Sequence, residues 1–192
     1  MKRVIIGALV GTLIYFGFQM AMWMGGIHSN FYTYAAEQDT ILSVLSKTLP
    51  AEGLYMMPMA DNQSSDFEIR QKEVEKTMSG KPWAMVFFHP KMSDFSASYL
   101  LMGLLYALLS AFIAALIMYM GNFPCFWSRF TVSMLFALFA LFQGALCDMN
   151  WWDFPWSFTQ PRVIDLTIGW GLTSIWLAWF VKKRVDAKGE EK

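Results

Sequence analysis

The stretch Tyr99-Leu100-Leu101-Met102-Gly103-Leu104-Leu105-Tyr106-Ala107-Leu108-Leu109-Ser110-Ala111-Phe112-Ile113-Ala114-Ala115-Leu116-Ile117-Met118-Tyr119-Met120 contains no charged side chain. Wound as a helix, it rises about 33 Å. A bilayer's hydrocarbon core is roughly 30 Å thick and needs about 20 mostly apolar residues to cross it, so the stretch reads as a transmembrane helix. Three other runs meet the same length: Val4 to about Met24, Trp127 to Cys147, and Val163 to Val181. The predicted fold is a membrane all-α protein, a bundle of four transmembrane helices.

Composition agrees with that reading. Hydrophobic residues make up 56% of the chain and charged residues only 16%, against roughly 25% charged in a soluble domain. The charges are also segregated, lying at the two ends and between Glu37 and Asp94. Lys and Arg balance Asp and Glu at 15 each, so there is no basic field to attract a polyanion and no nucleic-acid partner is expected. Membrane lipids are the first partners implied.

The chain divides into a first span at residues 1–24, an insertion at 25–97, spans two to four within 98–182, and a tail at 183–192. Met1-Lys2-Arg3 ahead of an apolar run has the opening of a signal peptide. The run continues through Tyr15, Phe16, Phe18 and Trp23 without a convincing cleavage sequence, so an uncleaved anchor is expected. Lys and Arg near helix ends favour the cytoplasmic side. Lys2, Arg3, Arg129, Lys182, Lys183 and Arg184 share one side if four helices alternate, against Lys81, Lys91 and Arg162 on the other. Both termini are therefore expected in the cytoplasm and the insertion outside it.

Within the insertion, Ile41, Leu42, Val44, Leu45 and Leu49 fall at helical spacing from Glu37 until Pro50 stops the run. Ser65-Asp66-Phe67-Glu68 fits a capping box opening a charged helix to about Met78, closed by Ser79-Gly80. Leu54–Met57 and Trp83–Phe88 read as short strands. The insertion is thus predicted to be a small α+β cap, too small to bury much apolar surface alone. It is expected to rest on the helix ends or on another protein.

Candidate chemistry is sparse. Cys125 and Cys147 bracket the third span, about 33 Å apart along a helix, so they cannot form a disulfide within the chain. His28 and His89 flank the insertion and are weak candidates for cofactor binding, but no third ligand accompanies them. Methionine is abundant at 15 residues, and its thioether suits Cu(I); Met57 and Met59 are the external candidates. Met20, Met22 and Met24 alternate on a helix and point to opposite sides of it. Arg162 and Asp165, three residues apart near the predicted start of the fourth span, are expected to pair with each other at the interface. The third-to-fourth connection carries Trp151, Trp152 and Trp156, which fit an aromatic belt or a ligand-gripping surface. Gly7 and Gly11 in the first span, and Gly103, Ala107, Ser110, Ala111 and Ala114 in the second, are small-residue faces for close helix packing within the chain or on a partner subunit, with Gln19 and Gln143 as candidates for interhelical hydrogen bonds.

Glu52-Gly53-Leu54-Tyr55-Met56-Met57-Pro58, then Gly80-Lys81-Pro82-Trp83-Ala84-Met85-Val86 and His89-Pro90 ahead of a span, resemble a pattern in small four-helix bacterial inner-membrane proteins of unassigned function. In that pattern a G-x-Y-x-x-P strand precedes a G-P-x-A-M strand, and here Lys81 separates the glycine from the proline. The resemblance implies a bacterial envelope and no particular activity.

With no catalytic constellation and no resident cofactor or metal implied, the leading expectation is a non-enzymatic accessory subunit among other integral membrane subunits. A lipid- or quinone-handling protein would use the tryptophan loop with His89, Asp148, Arg162 and Asp165. A Cu(I)-handling protein would use Met57 and Met59. The orientation has a direct check in a chain freed of Cys125 and Cys147. Single cysteines placed between residues 60 and 80 should react with an impermeant maleimide added outside intact cells, and reaction from the cytoplasmic face alone would reverse the topology.

Overall fold

A computed structural model of the chain describes residues 1–59, 66–92, 97–121 and 123–182. It divides into two compact units, Met1–Thr33 with Phe95–Lys192, and Tyr34–Asp94.

The first unit contains four helices long and apolar enough to cross a membrane: α1 (Lys2–Met24), α4 (Ala97–Met120), α5 (Phe126–Trp152) and α6 (Trp156–Phe180). The chain is a multi-pass membrane protein built as a four-helix bundle with a small strand-containing insertion between its first two spans. The third and fourth helices are longer than the apolar runs inside them. Between them only Asp153, Phe154 and Pro155 reverse the chain, with Asp153 in the left-handed region at φ 52° and Pro155 in extended backbone just ahead of the first turn of α6. Each of these helices contains a π-helical turn, at Leu141–Leu146 in α5 and Asp165–Gly169 in α6.

In hydrocarbon there is no hydrophobic drive between helices, so they associate through close packing and a few hydrogen bonds. The glycines of α1 make this possible. A Cβ on Gly7 would lie 2.7 Å from Val181 Cγ2, and one on Gly11 would lie 3.4 Å from Leu177 and Thr173 and 3.6 Å from Ala111. The small-residue faces thus meet inside one chain. The carbonyl left open by Gly7 accepts a bond from Trp176 Nε1 at 3.0 Å. On the other side of α6, Trp170 Nε1 donates to the Ser133 carbonyl at 3.0 Å and Ser174 Oγ to Ser133 Oγ at 2.8 Å. At the end of the bundle where α1 begins and α6 stops, Arg129 is buried and donates to the carbonyls of Ala178 at 2.7 Å and Phe123 at 2.8 Å. A cation on the last carbonyls of α6 is favoured by the helix dipole. The resulting order is α4, α1, α6, α5; α4 has its broadest contact with α1, and meets α5 along a much shorter line.

The second unit contains α2 (Gln38–Thr48), β1 (Gly53–Met57), α3 (Phe67–Met78) and β2 (Ala84–Phe88). The strands pair antiparallel, Gly53 opposite Phe88 and Met57 opposite Ala84. Asp66 caps α3, its carboxylate accepting from the backbone N–H groups of Glu68 at 2.9 Å and Ile69 at 3.3 Å. The predicted serine cap, Ser65, lies outside the described residues. Among the described residues of this unit only Phe88 is buried.

Glycine in a helix interior costs about 1 kcal/mol relative to alanine, so filling an open site is favourable and filling a contact is not. Gly17 has nothing within 4 Å of an added Cβ, whereas one on Gly169 would sit 2.6 Å from the Phe18 ring. Gly17→Ala should leave unfolding in mixed micelles unchanged or raise its midpoint. Gly169→Ala should destabilise by about 1–3 kcal/mol; equal effects at the two positions would contradict this packing.

Candidate functional site

Three polar residues of the helical unit, Gln19, His28 and Asp165, converge where α1 ends. After Met24 the chain passes through Gly25 and then Gly26, whose φ of 79° turns it back toward the bundle. The His28 backbone N–H consequently reaches the Met22 carbonyl at 3.2 Å, and its ring enters the protein, where only 1% of it is exposed. His28 Nε2 lies 2.7 Å from Asp165 Oδ1. Gln19 Nε2 donates to the second carboxylate oxygen at 3.0 Å. One carboxylate on α6 thereby joins the body of α1 and the turn that follows it.

Asp165 was expected near the start of the fourth span, paired with Arg162. Nine helical residues, about 14 Å, precede it in α6, so the dipole at the helix start does not account for its position. Arg162 turns instead to Asp148 of α5, Nη1 to Oδ2 at 3.0 Å, with both side chains over a third exposed. Each of the two residues finds its partner on another helix, in place of the weak bond they could have shared along their own.

Aromatic rings surround the histidine. The Trp23 ring meets His28 edge-on at 5.9 Å between centroids, Phe31 packs on Trp23 and Phe158, and the Arg162 guanidinium lies over Phe158 at 5.4 Å. Within this shell His28 Nδ1 has no hydrogen-bond partner among the described residues. A carboxylate accepting from Nε2–H fixes the imidazole's orientation and tautomer and leaves Nδ1 as an acceptor. The arrangement can hold one hydrogen-bond donor. Among the described residues no three His, Cys, Asp or Glu side chains come together as a metal site would require.

The remaining candidates are dispersed. His89 Nδ1 faces Glu52 Oε1 at 3.3 Å, both well exposed, in the insertion. Met57 closes β1 and Met59 is exposed. Trp151 and Trp152 form the exposed end of α5. Cys125 caps α5, its sulfur accepting from the Ser128 N–H at 3.4 Å, and hydrogen bonding with the Ser128 side chain and backbone holds its thiol below the ordinary value. The His28–Asp165 link escaped the sequence reading because 137 residues separate the two. Its available signals were Gly25-Gly26 ahead of the histidine and the polar Gln19 and Asp165 within apolar surroundings.

No family model, curated protein or solved structure matches the chain.

Burial separates the two contacts energetically. Removing one partner of a buried hydrogen bond strands the other and costs about 1–3 kcal/mol, more where a charge is left, whereas an exposed ion pair contributes about 0–1 kcal/mol. Asp165→Ala should therefore destabilise the bundle several times more than Asp148→Ala in denaturant titration. In the cycle with His28→Leu and Asp165→Leu, the double variant should lose less than the sum of the singles; simple additivity would mean that the two side chains do not interact.

Proposed function

We propose that the chain is a non-catalytic accessory subunit of a bacterial inner-membrane protein complex, with both termini cytoplasmic and the insertion as the element that engages a partner outside the cytoplasm. The observation that carries this reading is the uncovered apolar surface of the insertion. Ile41, Leu42 and Val44 of α2, Ile69 and Phe67 of α3, and Phe87 of β2 are all exposed. An isolated two-stranded sheet is marginally stable in water, and neither helix of the insertion buries a residue. Apolar residues held at helical spacing without a core beneath them fit a surface completed by another polypeptide. The predominantly apolar outer faces of the four spans need no such partner, since lipid covers them.

Purification of the tagged chain from its native membrane in mild detergent should recover another membrane subunit in fixed stoichiometry. Leu42→Asp combined with Phe87→Asp should release that subunit while the helical content of the chain stays unchanged. A monodisperse lone chain, or co-purification indifferent to both substitutions, would overturn the reading.

A further inference from the structure

The bundle contains an apolar cavity of about 230 Å³ that opens between α4 and α5. Its floor is the edge-to-face pair Tyr15 and Trp170, 5.4 Å between ring centroids. Buried Ala114 and Ala137 form its walls, and exposed Ser110 and Ala140 stand at its rim. We infer that this cavity is a binding site for the hydrocarbon chain of a membrane lipid.

Depth decides the chemistry of the occupant. Tyr15 lies two residues from the middle of α1, Ser110 and Ala114 within six of the middle of α4, Ala137 and Ala140 within two of the middle of α5, and Trp170 two from the middle of α6. At about 1.5 Å per residue every lining group falls within about 9 Å of mid-span, inside a hydrocarbon half-layer of roughly 15 Å. The medium facing the opening is lipid tail. Water would require two to four polar partners; the Ser110 proton goes to the Tyr106 carbonyl at 2.9 Å and the Trp170 N–H to the Ser133 carbonyl at 3.0 Å, which leaves the Tyr15 phenol and the Ser110 lone pairs as the side-chain polar groups of an otherwise apolar lining. An apolar cavity of about 150 Å³ takes up benzene, so this one has room for a longer run of carbons. Protein interiors rarely keep voids larger than a water molecule unfilled.

The cavity also has a built origin. Ala140 directly precedes the π-helical turn of α5; Leu166, a further lining residue, lies in that of α6, and Trp170 directly follows it. Such turns shift helix register and recur at functional sites. Here both border the same space, and small side chains line it where larger ones would close the gap between α4 and α5.

The test is native mass spectrometry of the full chain after stringent delipidation. Wild-type protein should retain one lipid per chain. Ser110→Phe and Ala140→Phe, which block the rim from exposed positions, should each lower that occupancy at least tenfold, while Leu105→Phe on the lipid face of α4 should not. Extraction of the retained species distinguishes a glycerolipid from an isoprenoid; either supports the site. Should the blocked variants misfold, a lipid bearing a mid-chain diazirine supplies the second measurement on the unaltered chain, and its adducts should concentrate on Ala114 and Ala137 over Leu105 and Phe139. No retained lipid, retention equal in the wild type and both blocked variants, adducts no richer at the cavity than on the lipid face, or a lipid-free dimer closing the gap would overturn the inference.

Discussion

Inside a bilayer every backbone N–H and C=O must find its partner within the protein, and this constraint governs the molecule before any side chain is considered. It makes the four spans helical and removes the usual reason for helices to associate, because lipid tails are as apolar as leucine. What remains is close approach and hydrogen bonding, and the bundle uses both at the same places. Gly7 lets α6 come near enough for Trp176 to reach a main-chain carbonyl. Ser133 receives both Trp170 and Ser174. Where a polar residue bonds only within its own helix, as Thr12 to the Ala8 carbonyl does, it satisfies its hydroxyl without joining anything.

The distribution of these joints explains the bundle's asymmetry. Side-chain bonds tie α6 to α1 at Trp176 and Asp165, and to α5 at Ser133, Arg129 and Asp148. α4 packs closely on α1, with the Gly103 position against Phe16 and Ala111 near Gly11. The boundary between α4 and α5 is short. α6 is thus the hub of the polar network, and its π-helical turn at Asp165–Gly169 stands where that helix must present a carboxylate to α1 and a tryptophan to α5 within a few residues.

Length and apolarity alone made the four spans legible, since no other structure accounts for runs such as Tyr99–Met120. The insertion's elements were legible through Pro50, Gly80 and the spacing of Ile41, Leu42 and Val44. Other features were hidden for a common reason. Asp148 and Arg162 are polar and read as loop, yet the helices continue through them, and the two side chains satisfy each other between α5 and α6. The burial of His28 was hidden because it depends on a positive φ at Gly26 and a carboxylate far away in sequence. The α3 cap sits on Asp66, since an aspartate beside a serine offers an equally good oxygen one position later.

The two ends of the bundle handle charge by opposite means. At the end where α1 meets His28, a carboxylate is satisfied by donors: the Gln19 amide and the imidazole. At the end where α1 begins and α6 stops, cations are satisfied by carbonyl oxygens: Arg129 by Ala178 and Phe123, and Arg3 by Lys182. A carbonyl stabilises a guanidinium without neutralising it, so these bonds order the last turn of α6 while leaving its end positively charged.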